Sequence, residues 1–357
     1  MALSKIEADS LDIGQVGGRR NLIINGAMQV AQRGTSSVNG NGSFPVDRFA
    51  ISNTQASKYT GQQSSTAPAN FKNSVVLTSS SAYTVVAGDA FNFYQRMEGY
   101  DVAHLGFGTS DAQEFTLSFY VRSSLTGTFA GFLSNADYNR SYVFEYTIDT
   151  ADTWERKTIT LTADTTGTWG TTNGRGLSVH WSLGTGSTYH TTAGSWQAGN
   201  YQSTSSATNL VGTNGATLYI TGVQLEVGDT ATPFEHRSYG EELALCQRYF
   251  EKSYSSGTAP GTNTTVGMVR DSVFSIGNNT AFKYLSFKVA KRAAPTMTAY
   301  RDGGASGKWY YARNGQATES TVTFNHTGTE GTNPTVNIGT SWTGANTYGH
   351  WTADAEL

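Results

Sequence analysis

The sequence predicts an all-β protein: an antiparallel sandwich joined by one short helix to a smaller C-terminal β domain. Three observations carry that prediction. Short runs of alternating apolar and polar residues recur along the chain, separated by Gly, Asn, Asp, Ser and Thr. Only one stretch combines helical spacing with a capping signal. Charged residues make up 14% of the 357, against roughly 25% in ordinary soluble domains, so turns and hydroxyls rather than charges cover the surface.

Residues 1–20 end in GQVGGRR and lack the periodicity of a core segment, which suits a flexible or partner-ordered arm. The sandwich is expected over residues 21–235. NLIINGAMQ reads as an apolar strand with a turn at Asn25–Gly26, and DRFAIS opens a second at Asp47. SVVLT near Val75, YTVVAG near Val85 and FNFYQRMEG near Phe93 follow. In FTLSFYVRS, alternation puts Phe115, Leu117, Phe119 and Val121 on one face. SYVFEYTI does the same with Tyr142, Phe144, Tyr146 and Ile148, and KTITL with Ile159 and Leu161. LSVHWSL aligns Leu177, Val179, Trp181 and Leu183. Strands of this length and spacing indicate a sandwich.

LYITGVQLEV changes phase at Thr221–Gly222, as a β-bulge does. GDTATP stops that strand, and Ser238 followed by Glu241 forms a capping box for a connecting helix expected over 236–253. Leu243, Cys246, Tyr249 and Phe250 fall on its apolar side. A helix this short is marginal alone in water, so it is expected to form the joint between two β-rich parts. Residues 254–357 read as the second β domain, with FKYLSFKVAKRAAPTMTAY, TVTF, TVNIGTSW and TYGHW as its strands.

Several functional classes find no support. A net charge of −3 with scattered Lys and Arg argues against nucleic acid. No stretch approaches the roughly eighteen apolar residues of a membrane span. MALSKIEADS lacks the apolar region of a signal peptide, so synthesis in a cytoplasm is expected. The one cysteine, Cys246, reads as a small buried hydrophobe. No nucleophile elbow, phosphate loop or zinc motif is present, and His104, His180, His190, His236, His326 and His350 lack metal-ligand spacing. No catalytic residue, metal or cofactor is therefore expected. Two carboxylates for glycoside hydrolysis need no local motif, but Asp89, Asp101, Glu114, Asp137 and Asp149 sit in turn contexts.

Aromatic residues give the better lead. Sugars stack apolar C–H faces on rings while their hydroxyls pair with amides and charged groups. Strict alternation assigns Trp181 to the core. Residues 185–215 form a long Gly/Ser/Thr-rich insertion with little alternation, and long loops in compact domains are often functional. Its Tyr189, His190, Trp196 and Tyr201 are the candidate glycan-binding residues. Trp309, Tyr310, Tyr311, Trp342, Tyr348 and Trp351 pose the same choice between packing and binding in the second domain.

NLIINGAMQ, FTLSFYVRS, WERKTITL and LYITGVQLE, in that order, resemble the strands of galactose-binding-like jelly-roll carbohydrate-binding modules, over about residues 21–235. Such modules bind polysaccharides and often carry a structural calcium. Where they usually have I-D-D-V in the last strand, this chain has Ile220-Thr221-Gly222-Val223, which leaves the inherited calcium site without its two acids. VQLEVGDTATPFEHRSYGEELALCQRYFEKS, FKVAKRAAPTM and the ADAEL ending are similar to phage tail-fibre and other virion proteins. The resemblance implies a non-enzymatic virion component, a homotrimer made in the host cytoplasm, attached to other virion proteins by its N-terminal arm and binding host cell-surface polysaccharide. A structural adaptor or capsid-decorating fibre is the alternative it leaves, and a polysaccharide depolymerase the weaker one.

Overall fold

A computed structural model describes residues 19–276, 279–281, 284–313, 316–337 and 343–357. The expected arm lies outside the described residues up to residue 18, as does Trp342. Eleven strands build the sandwich: β1 (Phe49–Asn53), β2 (Tyr59–Ser64), β3 (Ser74–Ser79), β4 (Ala90–Glu98), β5 (Phe115–Ser123), β6 (Gly127–Ser134), β7 (Arg140–Ile148), β8 (Glu155–Leu161), β9 (Arg175–Thr185), β10 (Trp196–Ala198) and β11 (Thr217–Val227). One sheet runs β1-β4-β9-β6-β7-β10 and the other β2-β3-β11-β5-β8, with every pairing antiparallel.

The inward phase of each strand fills the space between the sheets. Trp181 is fully buried at its centre, with ring centroids of Phe49, Phe93 and Phe119 at 6.4, 5.9 and 5.5 Å. Burying each such phenylalanine is worth roughly 1.5–3 kcal/mol over leaving it exposed. The phase slip in β11 is a bulge: Thr221 faces Tyr120 and Gln224 faces Ser118, so Gly222 and Val223 share one opposing residue. Gly222 sits at φ +61, and a Cβ there would meet the Phe71 and Tyr120 rings at 2.7 and 2.9 Å.

Two expected strands are coil. NLIINGAMQ is apolar because it is buried, yet side chains rather than a neighbouring strand satisfy much of its backbone. Gln95 brackets Ile24 by accepting from its N–H (2.9 Å) and donating to its C=O (2.7 Å), while Asn21 joins the segment to Val223 and Leu225 of β11. YTVVAG is a loop whose Val86 is 56% exposed. Conversely, β2, β6 and β10 come from segments whose alternation is weak.

Among the described residues there are two short α-helices, α1 (Gly99–Val102) and α2 (Tyr239–Gln247). Ser238 caps α2, its hydroxyl accepting from the Glu241 N–H at 3.3 Å. The helix is shorter than expected. Phe250, placed on it by spacing, instead begins β12 (Phe250–Lys252), which pairs with the final strand.

The remaining strands are β13 (Val269–Ile276), β14 (Asn279–Ala281), β15 (Leu285–Ser286), β16 (Thr296–Tyr300), β17 (Lys308–Arg313), β18 (Gln316–Asn325), β19 (Gly331–Asn337) and β20 (Thr343–Asp354). Their order is β20-β13-β14-β19-β18-β17, and β17 also pairs with β20, so the path closes on itself as a small barrel. Trp309, Val336 and Trp351 are buried in its core. The glycine at 349 lets the Trp309 ring lie against the β20 backbone, where a Cβ would come within 2.0 Å of it.

Arginines tie the barrel's last residues to the sandwich. Arg33 pairs with Asp354 at 3.0 Å and Glu356 at 3.4 Å, and Arg48, lying 3.4 Å over the Tyr249 ring, pairs with Glu356. Arg96 donates to the Leu357 carbonyl (2.7 Å), and Arg292 donates to those of Ala355 and Glu356 (2.5 and 2.7 Å). Burial pushes the Glu356 carboxyl up, although both arginines oppose it.

Candidate functional site

The outward phase of the six-stranded sheet carries the candidate site. In β9, Val179 and Trp181 point into the core, so Ser178, His180 and Ser182 point out. Register sets His180 opposite Tyr94 of β4 and Phe132 of β6. The three rings stack across adjacent strands, with His180 at 4.1 Å and 13° to Phe132 and at 5.0 Å and 22° to Tyr94. Directly opposed aromatic side chains of this kind stabilise a sheet pair by a few tenths to about 1 kcal/mol.

A hydrogen-bond chain holds the imidazole. His180 Nε2 lies 3.0 Å from the Ser178 hydroxyl, which is 2.9 Å from the Ser134 hydroxyl and 3.3 Å from the Ser134 carbonyl. Nδ1 lies on the other side of the ring. His180 is 3% exposed, and its Nδ1 has no hydrogen-bond partner. Burial, reinforced by the Arg96 and Arg175 guanidinium charges, holds its pKa well below the ordinary histidine value, so the ring stays neutral.

Asn92 of β4, also 3% exposed, adds a second unpaired polar atom, its side-chain oxygen. Its amide nitrogen donates to Gln202 Oε1 at 2.9 Å, and the Gln202 amide in turn donates to Asn200 at 3.0 Å. This leaves Asn92 Oδ1 without a partner. These groups line a pocket of about 260 Å³ together with Ser52, Asn53, Tyr138 and Tyr189. A buried polar atom left unmade costs about 1–3 kcal/mol, so the pocket favours a molecule that hydrogen-bonds into it.

The walls are held firmly. Tyr138 sits at φ +54, a rare conformation for a bulky residue. Buried Asn135 shapes its turn by accepting from the backbone N–H groups of Asn139 and Arg140 (3.1 and 3.2 Å). This turn brings the Tyr138 ring to 6.0 Å from His180, and Arg175 lies 4.2 Å over the far ring face. Behind lining residue Thr54, the buried Asp89 carboxylate accepts from the Thr54 and Tyr83 hydroxyls (3.0 and 2.8 Å).

The four candidates from the insertion are distributed rather than clustered. Tyr189, closing a 3-10 turn at Ser187–Tyr189, lines the pocket. His190 next to it is bonded through Nε2 to the Thr185 carbonyl (2.8 Å) and anchors the loop. Trp196 belongs to edge strand β10, packs against Phe107, Tyr142 and Trp169, and donates to the Thr162 carbonyl at 2.8 Å. Tyr201 is partly buried, its ring against Gly199 and its N–H donating to the Ser141 hydroxyl.

His180, Phe132, Tyr94, Asn92 and Gln202 did not stand out in the sequence. A signal existed in β9: the phase that makes Trp181 core also places His180 outside. No signal in the sequence brings Asn92 and Gln202 together. None of the described lining residues is a carboxylate. Among the described residues, no group of three or more His, Cys, Asp or Glu could hold a metal ion, and no helix is long and apolar enough to cross a membrane.

No family model matches the chain, and no curated protein does. Similar solved structures include the enzymatically active domain of bacteriophage CBA120 tailspike protein 4, 14% identical over 58% of this chain with a TM-score of 0.34. This chain spans 21% of that one. A putative sugar binding protein from Bacteroides thetaiotaomicron is 12% identical over 58% of this chain and 100% of its own, at a TM-score of 0.35. The family 11 carbohydrate-binding module of a Clostridium thermocellum cellulosomal cellulase is 11% identical over 57% and 99%, at 0.28. None is close enough to transfer a site, and the pocket's own chemistry bears on function.

Proposed function

We propose that this protein is a non-enzymatic glycan-binding protein that seats a neutral sugar residue on the outward face of the six-stranded sheet. The observation that carries this reading is the pair of buried, unpaired polar atoms, His180 Nδ1 and Asn92 Oδ1, inside a ring-lined pocket. Sugar hydroxyls both donate and accept and so serve such atoms, and aromatic walls take the apolar faces of the ring. At about 260 Å³ the pocket falls below the roughly 300–1,000 Å³ of drug-sized sites, which suits one sugar residue. A neutral imidazole and the absence of a lining carboxylate favour binding over acid–base hydrolysis.

The sequence resemblance supplies the finer part of the proposal. The chain serves as a homotrimeric component of a phage particle, a tail fibre or receptor-binding protein, and adheres to host surface polysaccharide. Symmetry would let weak sites act together.

Labelled protein added to intact host cells, with host polysaccharide as competitor, tests the reading. Saturable binding that the polysaccharide removes is expected, with Asn92→Ala weakening it by about tenfold. Folded oligomer that binds no cells would overturn the adhesin and favour an adaptor contacting other virion proteins. Release of reducing sugar would establish the depolymerase instead. A monomer in light scattering would remove the trimer.

A further inference from the structure

The barrel exterior holds a second arrangement of rings and polar groups, unrelated in sequence to the sandwich pocket. Register aligns Arg270 of β13 with Tyr348 of β20, and Tyr348 with Tyr310 of β17, so all three share the outer face. The tyrosine rings lie 5.5 Å apart at 32°, and the Arg270 guanidinium is 5.9 Å from the Tyr348 ring centre. A pocket of about 580 Å³ opens over Arg270 and Tyr348, with Thr265 and Met268 on one wall and Asp302 on the other.

The walls are built rather than incidental. The Thr264 N–H donates to the Asp302 carbonyl at 3.0 Å, joining the two wall loops. Buried His350 ties one of them to β20, donating from Nε2 to the Thr264 carbonyl at 3.0 Å while its Nδ1 meets the Ser253 hydroxyl at 3.0 Å. Neighbouring Arg301 is committed, to the Tyr310 hydroxyl at 2.9 Å and to Glu319 at 3.1 Å. Arg270 and Asp302 differ: neither side chain enters an ion pair or hydrogen bond among the described residues.

From these observations we propose a second glycan-binding site on the barrel, centred on Tyr348 with Arg270 and Asp302 as its polar arms. A guanidinium only donates and a carboxylate only accepts, so a ligand serving both must accept and donate, as adjacent hydroxyls do. The acid disfavours an anion and the guanidinium disfavours a cation, which leaves a neutral saccharide whose C–H face lies on the Tyr348 ring. The larger volume, about 580 Å³ against about 260 Å³, fits a segment of chain rather than one residue.

Binding of the full chain to an immobilised array of neutral and acidic oligosaccharides tests this, comparing wild type with Arg270→Ala, Tyr348→Ala and Asn92→Ala. Arg270 is exposed, so its variant folds, and thermal unfolding checks the others. Expected is a set of neutral glycans whose binding survives Asn92→Ala and falls by about tenfold in both barrel variants. Loss of every signal in Asn92→Ala, with Arg270→Ala and Tyr348→Ala unchanged, would overturn the barrel site and leave the sandwich pocket standing. The reverse pattern would keep the barrel site and remove the pocket. A response limited to acidic glycans and Arg270→Ala would reduce it to a charge contact, and a wild type that binds no glycan would overturn both.

Discussion

The sandwich and the barrel each turn a row of rings outward from a sheet, and they treat those rings in opposite ways. On the sandwich, His180 and Asn92 are each 3% exposed beneath the inserted loop, and two of their polar atoms have been taken from water without a replacement. On the barrel, Arg270 is exposed and Tyr348 only partly covered, so its polar arms remain hydrated. The first site, as proposed, would discriminate by a cost already incurred, since a ligand lacking the right partners leaves buried polar atoms unmet. The second gains less from each contact and depends more on area. The two proposed sites would thus combine tight selection and broad adhesion on one chain.

The largest test of that contrast removes the sandwich's central ring. Trp181→Ala should destabilise the sandwich by about 3–5 kcal/mol, read by urea unfolding, and should abolish glycan signals that depend on Asn92 while sparing those that depend on Tyr348. Equal loss of both would show that the barrel has no independent standing.

A smaller effect follows from pH. His180 is held neutral by burial and by nearby Arg96 and Arg175, so its folded pKa lies below the unfolded value. Below about pH 6.5 the unfolded chain takes up a proton that the folded chain refuses. Stability therefore falls as pH falls, with a slope approaching about 1.4 kcal/mol per pH unit from this residue. His350 on the barrel is shifted the same way by burial. Urea midpoints in His180→Gln across pH 5–7 should retain only the barrel's share, and an unchanged slope would remove His180 from the account.

The smallest concerns the joint. Ser238→Ala deletes the cap of α2 and should cost about 1 kcal/mol without moving either site's glycan profile. A changed profile would mean that the helix orients a site.

What was legible in the sequence followed physical period. β5, β7 and β9 face one way because one side of each is core, the β11 bulge showed as a broken phase, and the α2 cap showed as Ser238 with Glu241. NLIINGAMQ misled because burial alone made it apolar: Gln95 and Asn21, distant or local side chains, take the role of a partner strand. The pocket was illegible for a related reason. Asn92, Phe132, His180 and Gln202 come from separate strands and a loop, and only the pairing of β4, β9 and β6 makes them neighbours. Trp196 stood out for its composition, yet its ring closes the sandwich edge against Trp169.

The arginine clasp on residues 354–357 has a mechanical consequence. The last strand of the barrel is fastened to the sandwich by Arg33, Arg48 and Arg96, while Arg292 holds the Ala355 and Glu356 carbonyls from the barrel side. A pull on anything held by the barrel therefore reaches the sandwich along two parallel routes, the covalent chain through α2 and this ionic fastening. Load is shared between them, and neither β unit can swing away from the other until charges that are now paired and largely dry are exposed to water.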